Sequence, residues 1–266
     1  MPLPRPKPDN PAVVTGASSG IGEALARDLA ARGYSLVIVA RREDRLQVLA
    51  DELMAAHDIQ VEVRPCDLLN RKARAEFADE IAARNISILC NNAGFVSFGP
   101  VANTDRQHLN NEVELNAIVV QDLTVAVLGG MLERGAGGLL ATGSVAGHQP
   151  MPGMATYSAT KAFVNTFYQA LHQEVKAQGV HCTVLAPGPV RTEITEAAGK
   201  RFLEKAGPDI MWLEADRVAA EALDGLTANK RIVTPGIVAK LSKLSGQITP
   251  RSILLPSVKS TTDKIK

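Results

Sequence analysis

The sequence predicts an α/β fold: a doubly wound, mainly parallel Rossmann sheet with helices on both faces. Three observations carry this. Short, near-continuous apolar runs recur along the chain, segments of helical length separate them, and a glycine-rich turn follows the first run. Strands buried on both faces lose the apolar and polar alternation of a one-sided sheet, and helical crossovers are how parallel neighbours are joined.

The elements follow in order. Residues 12–15 (AVVT) read as the first strand, residues 16–22 (GASSGIG) as the turn, and the alanine-rich 23–33 as its helix. Strand 35–40 and helix 43–57 come next, then strand 61–66 and helix 70–84, and strand 86–91 with a helix over 113–129. Strand 138–143, helix 157–178 and strand 180–186 complete the regular alternation. After Pro187 the rhythm breaks: residues 187–212 hold two proline/glycine clusters around a short helical middle, a candidate substrate lid or a plain structural crossover. Helix 214–226 and a last strand at 231–235 close one domain over 11–236. Residues 1–10 (MPLPRPKPDN) are too proline-rich for a helix and are expected as a short extended or disordered leader. Residues 237–266 form a hydrophobic and basic extension, in which Lys240, Lys243, Arg251, Lys259, Lys264 and Lys266 face Asp263 alone. That extension suits packing on its own domain, and equally an anionic membrane or another subunit.

Composition narrows the class. A chain of 266 residues with 45% apolar content builds a core without disulfides or a structural metal. Lys plus Arg number 29 against 28 Asp plus Glu, and this balance gives no field that would gather nucleic acid. Cys66, Cys90 and Cys182 each fall in a strand-like run and read as buried thiols of a reducing compartment; the five histidines lack metal-ligand spacing with them. No uninterrupted apolar run approaches the about 18 to 20 residues of a membrane span. The cytoplasm is the expected location.

Chemistry concentrates in two places. Gly16, Gly20 and Gly22, spaced GxxxGxG between a strand and a helix, let an anion approach the amides of the helix start, which points to a dinucleotide site. Such sites commonly place an acidic residue after the second strand to hold the adenosine ribose of NAD. Here Ala40 is followed by Arg41 and Arg42, which suit the extra phosphate of NADP. Arg41 is the better placed of the two, because the next helix is expected to carry Arg42 toward solvent. Asp67, just after the third strand, suits the adenine amino group or a cap on the following helix. The second place is a pair: Tyr157 and Lys161 lie four apart at the start of a helix and share a face, so that a lysine cation and an oxidised nicotinamide together would favour tyrosinate. Ser144, arriving from a strand end, can meet the same reacting oxygen.

Taken together, residues 15–22 (TGASSGIG), Asp67, 91–94 (NNAG), Asn116, Ser144, 157–161 (YSATK) and 187–192 (PGPVRT) resemble the short-chain dehydrogenase/reductase family over about residues 11–235. The resemblance implies NADP(H) binding and proton-coupled hydride transfer at a carbonyl. It implies a quartet of Asn116, Ser144, Tyr157 and Lys161, in which Tyr157 is the proton donor, Ser144 stabilises the oxygen, Lys161 holds the nicotinamide ribose, and Asn116 maintains the relay. It also implies a cofactor envelope of Ser18, Ser19, Ile21, Asn91, Ala93, Gly94, Pro187, Gly188, Val190 and Thr192, around the glycine turn and the quartet. A homodimer or homotetramer through the helices near 113–129 and 157–178 is implied too.

The pocket is expected between 95–100, 148–155 and the segment after Val190, where Phe95, Phe98, Met151, Met154, Ile194, Phe202, Met211 and Trp212 suit an apolar or elongated substrate. A narrower likeness, in the leader, 37–46, 137–147 and 183–193, is to the mycolate-reductase branch of the family. It implies a long-chain 3-oxoacyl substrate and peripheral contact at the inner membrane face. A general soluble carbonyl reductase or secondary-alcohol dehydrogenase, and a noncatalytic NADP-binding interaction protein, are the alternatives.

Overall fold

The computed structural model describes residues 2–193 and 212–265. Its centre is a seven-stranded sheet: β1 (Ala12–Thr15), β2 (Leu36–Ala40), β3 (Val61–Pro65), β4 (Ile88–Asn91), β5 (Gly137–Thr142), β6 (Val180–Leu185) and β7 (Ile232–Val233). The order is β3-β2-β1-β4-β5-β6-β7, and every pairing is parallel. The chain reverses direction across the sheet between β1 and β4, the switch point at which ligands enter open α/β sheets. β1, β4 and β6 are buried along their whole length, which is why their runs show no alternation.

Between the strands run α1 (Gly20–Ala31), α2 (Glu43–Ala56), α3 (Arg71–Ala82), α4 (Arg106–Val113), α5 (Val119–Arg134) and α6 (Ala155–Val175). Beyond residue 211 come α7 (Ala215–Thr227), α8 (Ile237–Ile248) and α9 (Arg251–Ile265). One core joins α1, α2 and α7 to one sheet face, with Leu25, Leu29, Leu46, Leu223 and Leu226 packed on β1 and β2. The other joins α3, α5 and α6, with Phe77, Leu123, Met131, Val164 and Tyr168. Cys66, Cys90 and Cys182 are buried free thiols.

The largest departure from the sequence reading lies before β5. A helix was expected over 113–129, whereas helical structure runs from Arg106 to Arg134 with one wide π turn at Glu114–Ile118. Its first turns are polar and mostly exposed, so they carry no apolar stripe to read. The signal that starts them is a cap: the Asp105 carboxylate accepts the His108 amide at 2.8 Å. Gly135, at φ +61°, ends the helix. Arg74 braces the π turn, its guanidinium meeting Glu114 at 2.8 Å and Asp122 at 2.9 Å. The 106–134 helix is by length and mean hydropathy able to cross a bilayer, although Gln121, Asp122 and Thr124 interrupt its apolar run, and Val119, Val120, Leu123, Val127 and Met131 are buried in the core.

The leader and α8 both pack on the domain. Leu3 joins the α1/α7 core, the Tyr34 hydroxyl donates to the Pro4 carbonyl at 2.8 Å, and the buried Asn10 side chain folds back on Lys7 and Arg5. The leader is therefore an extended strap. In α8, Ala239 lies against Gly188, and Gly246 against Gln149 and the His148 carbonyl. The extension is thus part of the wall beside Ser144. Of the expected lid, residues 194–211, with Ile194, Phe202 and Met211, lie outside the described residues, while Val190 and Leu213 form a parallel bridge at its base.

Candidate active site

The carboxyl ends of β1, β4, β5 and β6 open onto one edge of the sheet, and the predicted residues gather there. Gly16 and Gly20 take φ of +69° and +58°, a backbone that side-chain-bearing residues rarely adopt. A Cβ at Gly22 would fall on the Gly16 carbonyl oxygen, and one at Gly20 would sit 2.9 Å from Thr192 Cγ2. Ser19 caps α1 without a side-chain hydrogen bond, so the first-turn amides have no side-chain acceptor at the cap. Thr15 Oγ1 accepts the amides of Asn92 at 3.0 Å and Ala93 at 3.1 Å, tying the loop after β4 to the end of β1. Gly turn, free amides and bare backbone make a cradle that suits a pyrophosphate.

Three expectations change here. Arg42, not Arg41, turns onto the cradle: its guanidinium donates to Ser18 Oγ at 3.0 Å and Ser19 Oγ at 2.9 Å, while Arg41 is exposed. The reason is local, since Arg42 is the N-cap residue of α2 and the helix starts one position beyond it. Arg42 and Arg45 also share the Glu193 carboxylate, which these two cations hold down at about 2. Second, Asn91 is a core tie: its amide donates to Val120 O, Thr124 Oγ1 and the Tyr168 hydroxyl at 3.0 to 3.2 Å, between α5 and α6. The neighbouring Asn92, which the sequence reading did not single out, faces the glycine turn, donating to Thr15 O at 3.2 Å and accepting from Thr142 Oγ1 at 3.0 Å. Third, Asp67 neither caps α3 nor is buried; it is exposed and accepts the Leu69 amide at 3.1 Å, while Asn70 provides the cap. Val190 is buried in the α1/α7 core, and the Pro187 carbonyl accepts the Val145 amide at 3.0 Å beside Ser144.

The quartet itself is assembled. Ser144 is buried at the end of β5, its Oγ accepting the Ala146 amide at 3.1 Å and its backbone clasped by Asn165, whose amide donates to Ser144 O at 2.8 Å. The Ser144 hydroxyl bears on Tyr157, where it works to lower the phenol. Lys161 is buried, its ammonium donating to the Thr142 carbonyl at 2.6 Å and lying 5.7 Å from the Tyr157 ring centroid. Asn116, in the π turn, accepts the Phe95 amide at 3.0 Å, donates to the Phe95 carbonyl at 2.8 Å, and reaches Thr160 Oγ1 at 3.3 Å. Gly94 lies between Asn116 and Lys161, with room for no Cβ.

The tyrosinate expectation concerns the complex with an oxidised nicotinamide; the protein's own side chains set the starting point. Burial pushes the Tyr157 phenol up to about 12, with the Ser144 hydrogen bond pulling it back and the Glu112 carboxyl raising it. Burial pushes the Lys161 ammonium down to about 8, opposed by Glu112. With its own side chains alone the site therefore holds a protonated phenol, the form of a proton donor. His148, next to α8, is pushed down by burial and by Lys243. The Phe95 and His108 rings meet in a tilted pair 5.0 Å apart, Phe98 is partly exposed, and Trp212 is buried with Arg191 over its ring.

Comparison with known proteins agrees with this arrangement. Residues 10–201 match the family model described as short chain dehydrogenase. The bovine very-long-chain 3-oxoacyl-CoA reductase is 34% identical over 189 residues, 70% of this chain and 61% of that protein's length. Sulfoacetaldehyde reductase 2 of Chromohalobacter salexigens is 38% identical over 187 residues, covering 69% of this chain and 73% of the relative. Among solved structures, a short-chain dehydrogenase from Sphingobium yanoikuyae in complex with NADPH superposes with a TM-score of 0.81 at 32% identity, over 93% of this chain and 95% of that one. The bulky-bulky ketone specific alcohol dehydrogenase of Comamonas testosteroni gives 0.78 at 30% identity, over 94% and 95%. With the matched model spanning most of the sheet and all four residues of the quartet, the chain belongs to the short-chain dehydrogenase/reductase family.

Proposed function

We propose that the protein reduces a ketone to a secondary alcohol with NADPH, and that its substrate is a long-chain 3-oxoacyl lipid. The observation that carries the reduction is the protonated Tyr157 phenol beside the Ser144 hydroxyl and the Lys161 ammonium, at the mouth of the glycine cradle. Bound NADPH supplies the hydride. Tyr157 donates its proton to the carbonyl oxygen, and Ser144, whose Oγ already accepts from Ala146, has its own hydrogen free to stabilise that oxygen as charge develops. Lys161 keeps one ammonium proton on Thr142 and has two more for ribose hydroxyls. Asn116 holds the Phe95 backbone and so the pocket wall.

Preference for NADP rests on Arg42 and Arg45, which already gather a carboxylate against Ser18 and would receive a ribose phosphate in the same way. In this reading Asp67 meets the adenine edge, and Gly94, Pro187, Gly188 and Thr192 complete the envelope. The lipid substrate is supported by Phe95, Phe98, Met151 and Met154 along the pocket border, by the similarity to very-long-chain 3-oxoacyl-CoA reductases, and by α8. That helix exposes Ile237, Leu241, Leu244 and Ile248 while its other side covers the His148 turn, so a peripheral seat on an anionic membrane would bring the pocket to the lipid. Exposed Val125 on α5 and Phe163 on α6 support a homodimer or homotetramer.

A second reading, general reduction of bulky ketones, is supported by the similarity to the Comamonas enzyme. NADPH consumption against short ketones and 3-oxoacyl thioesters of graded length separates the two. Turnover should rise with acyl length, and Tyr157→Phe should lower it on the order of 10²- to 10⁴-fold. Equal turnover of short ketones would remove the lipid assignment; NADPH binding without turnover of any carbonyl compound would leave a noncatalytic binding protein.

A further inference from the structure

One ionisable side chain at the site has no part in the chemistry above. Glu112, on α4, is the buried residue of that helix and is 0% exposed. Its Oε1 accepts the Ser97 amide at 2.8 Å, and the Ser97 hydroxyl beside it also steadies the carboxylate. A carboxylate sealed from water costs stability unless hydrogen bonds and neighbouring charge offset it. The charges that act on it are few: Lys161, reaching from α6, and His108, one turn back on α4. Tyr157, also on α6, is the remaining titratable group that feels it.

Glu112 and Asn116 stand one turn apart on the same helical run, and both hold the same short stretch of backbone. Asn116 takes the amide and carbonyl of Phe95, and Glu112 takes the amide of Ser97. The run of Phe95 to Ser97 is therefore stitched to the helix at alternate residues, as a strand is stitched to a neighbour. This wall follows Gly94, which lies between Asn116 and Lys161.

We propose that Glu112 is a positioning residue of this reductase site: with Asn116 it fixes the Phe95–Ser97 wall, and its carboxylate sets the charge balance of Tyr157 and Lys161. The inference rests on the catalytic reading of that pair. Burial raises the Glu112 carboxyl above its ordinary value; where it is ionised, as at the alkaline pH at which Tyr157 titrates, its charge repels tyrosinate and supports the Lys161 ammonium.

Two substitutions separate wall from charge. Glu112→Gln keeps an acceptor for the Ser97 amide and removes the charge; Glu112→Leu removes both. The direct readout needs no substrate: carbon NMR of ring-labelled tyrosine across pH, with the three tyrosines assigned through Tyr157→Phe and Tyr34 and Tyr168 as internal controls. In Glu112→Gln the Tyr157 titration should move to lower pH by about half a unit or more, with Tyr34 unmoved. Where a turned-over ketone is in hand, the alkaline limb of kcat/KM should also move to lower pH in Glu112→Gln with KM held within about twofold, whereas Glu112→Leu raises KM several-fold. A Tyr157 titration unmoved by Glu112→Gln overturns the charge role; equal KM in wild type and Glu112→Leu overturns the wall role. If Glu112→Leu does not fold, a KM rise in Glu112→Asp, whose shorter side chain withdraws from Ser97, replaces it. Absence of turnover with every carbonyl compound would count against the proposed reaction, and the tyrosine titration would still decide on Glu112.

Discussion

At the scale of single residues, burial decides the chemistry more than sequence spacing does. Tyr157 and Lys161 lie one helical turn apart as their spacing requires, yet desolvation drives the phenol up to about 12 and the ammonium down to about 8. The sign of the pH dependence follows. Reduction needs Tyr157 protonated, which holds throughout the neutral range, and needs Lys161 charged, which is lost as pH rises through about 8. A plot of kcat/KM for reduction against pH should therefore be level near neutrality and fall on the alkaline side near that value, and Lys161→Arg should remove that limb while lowering the plateau. The arginines make a second pair. Arg42→Ala should weaken NADPH binding about tenfold to a hundredfold and NADH binding little, as expected for a lost charge-assisted contact to phosphate, while Arg41→Ala should do much less. Glu193→Gln works in the opposite direction. Its carboxylate occupies the seat between Arg42 and Arg45, so removing that exposed competitor should tighten NADPH by up to about fivefold; fluorescence titration with each cofactor reads both effects.

At the scale of elements, the sequence was most legible where both faces of a segment are buried. Strands β1, β4 and β6 appear where their apolar runs lie, and the glycine turn sits between β1 and α1 as its residues demand. Quartet and cradle were legible through residue identity, because a tyrosine and lysine four apart on a helix cannot face apart. What failed shared a cause: the information lay in neighbours brought from far along the chain. Nothing in RQHLNNE marks a helix, since its one buried side chain, Glu112, is polar and meets Ser97 from another loop. Nothing local tells Asn91 from Asn92, whose amides point to opposite structures only once α5, α6 and β1 are in place. That Arg42 turns back onto Ser18 and Ser19 while Arg41 is exposed depends on the residue at which α2 begins, which the sequence does not mark.

For the whole molecule, the second half of the chain builds one continuous wall next to the quartet: the His148 turn, Gly188 and the small-residue side of α8. The other side of α8 carries Ile237 at 75% exposure and Ile248 at 69%, with Lys240 beside them. Flotation with vesicles of anionic phospholipid should retain the protein, and Leu241→Asp with Ile248→Asp should release it. Added salt should weaken retention without abolishing it, because the apolar part is not screened. Retention unchanged in the double variant would remove the membrane seat.

The strap at the other end of the molecule bears on how the chain reaches this state. Leu3 and Pro4 are made before the sheet, and the groups that form their cleft include Leu223 and Thr227 on α7, made long after them. Contacts between such distant positions form late, after the intervening loop has been closed by the sheet. Until α7 is made the strap has only the Tyr34 side of its cleft to rest on, and its docking marks the arrival of α7. A protease that cuts near Pro6 would thus act as a clock, with resistance appearing at the moment the fold is complete.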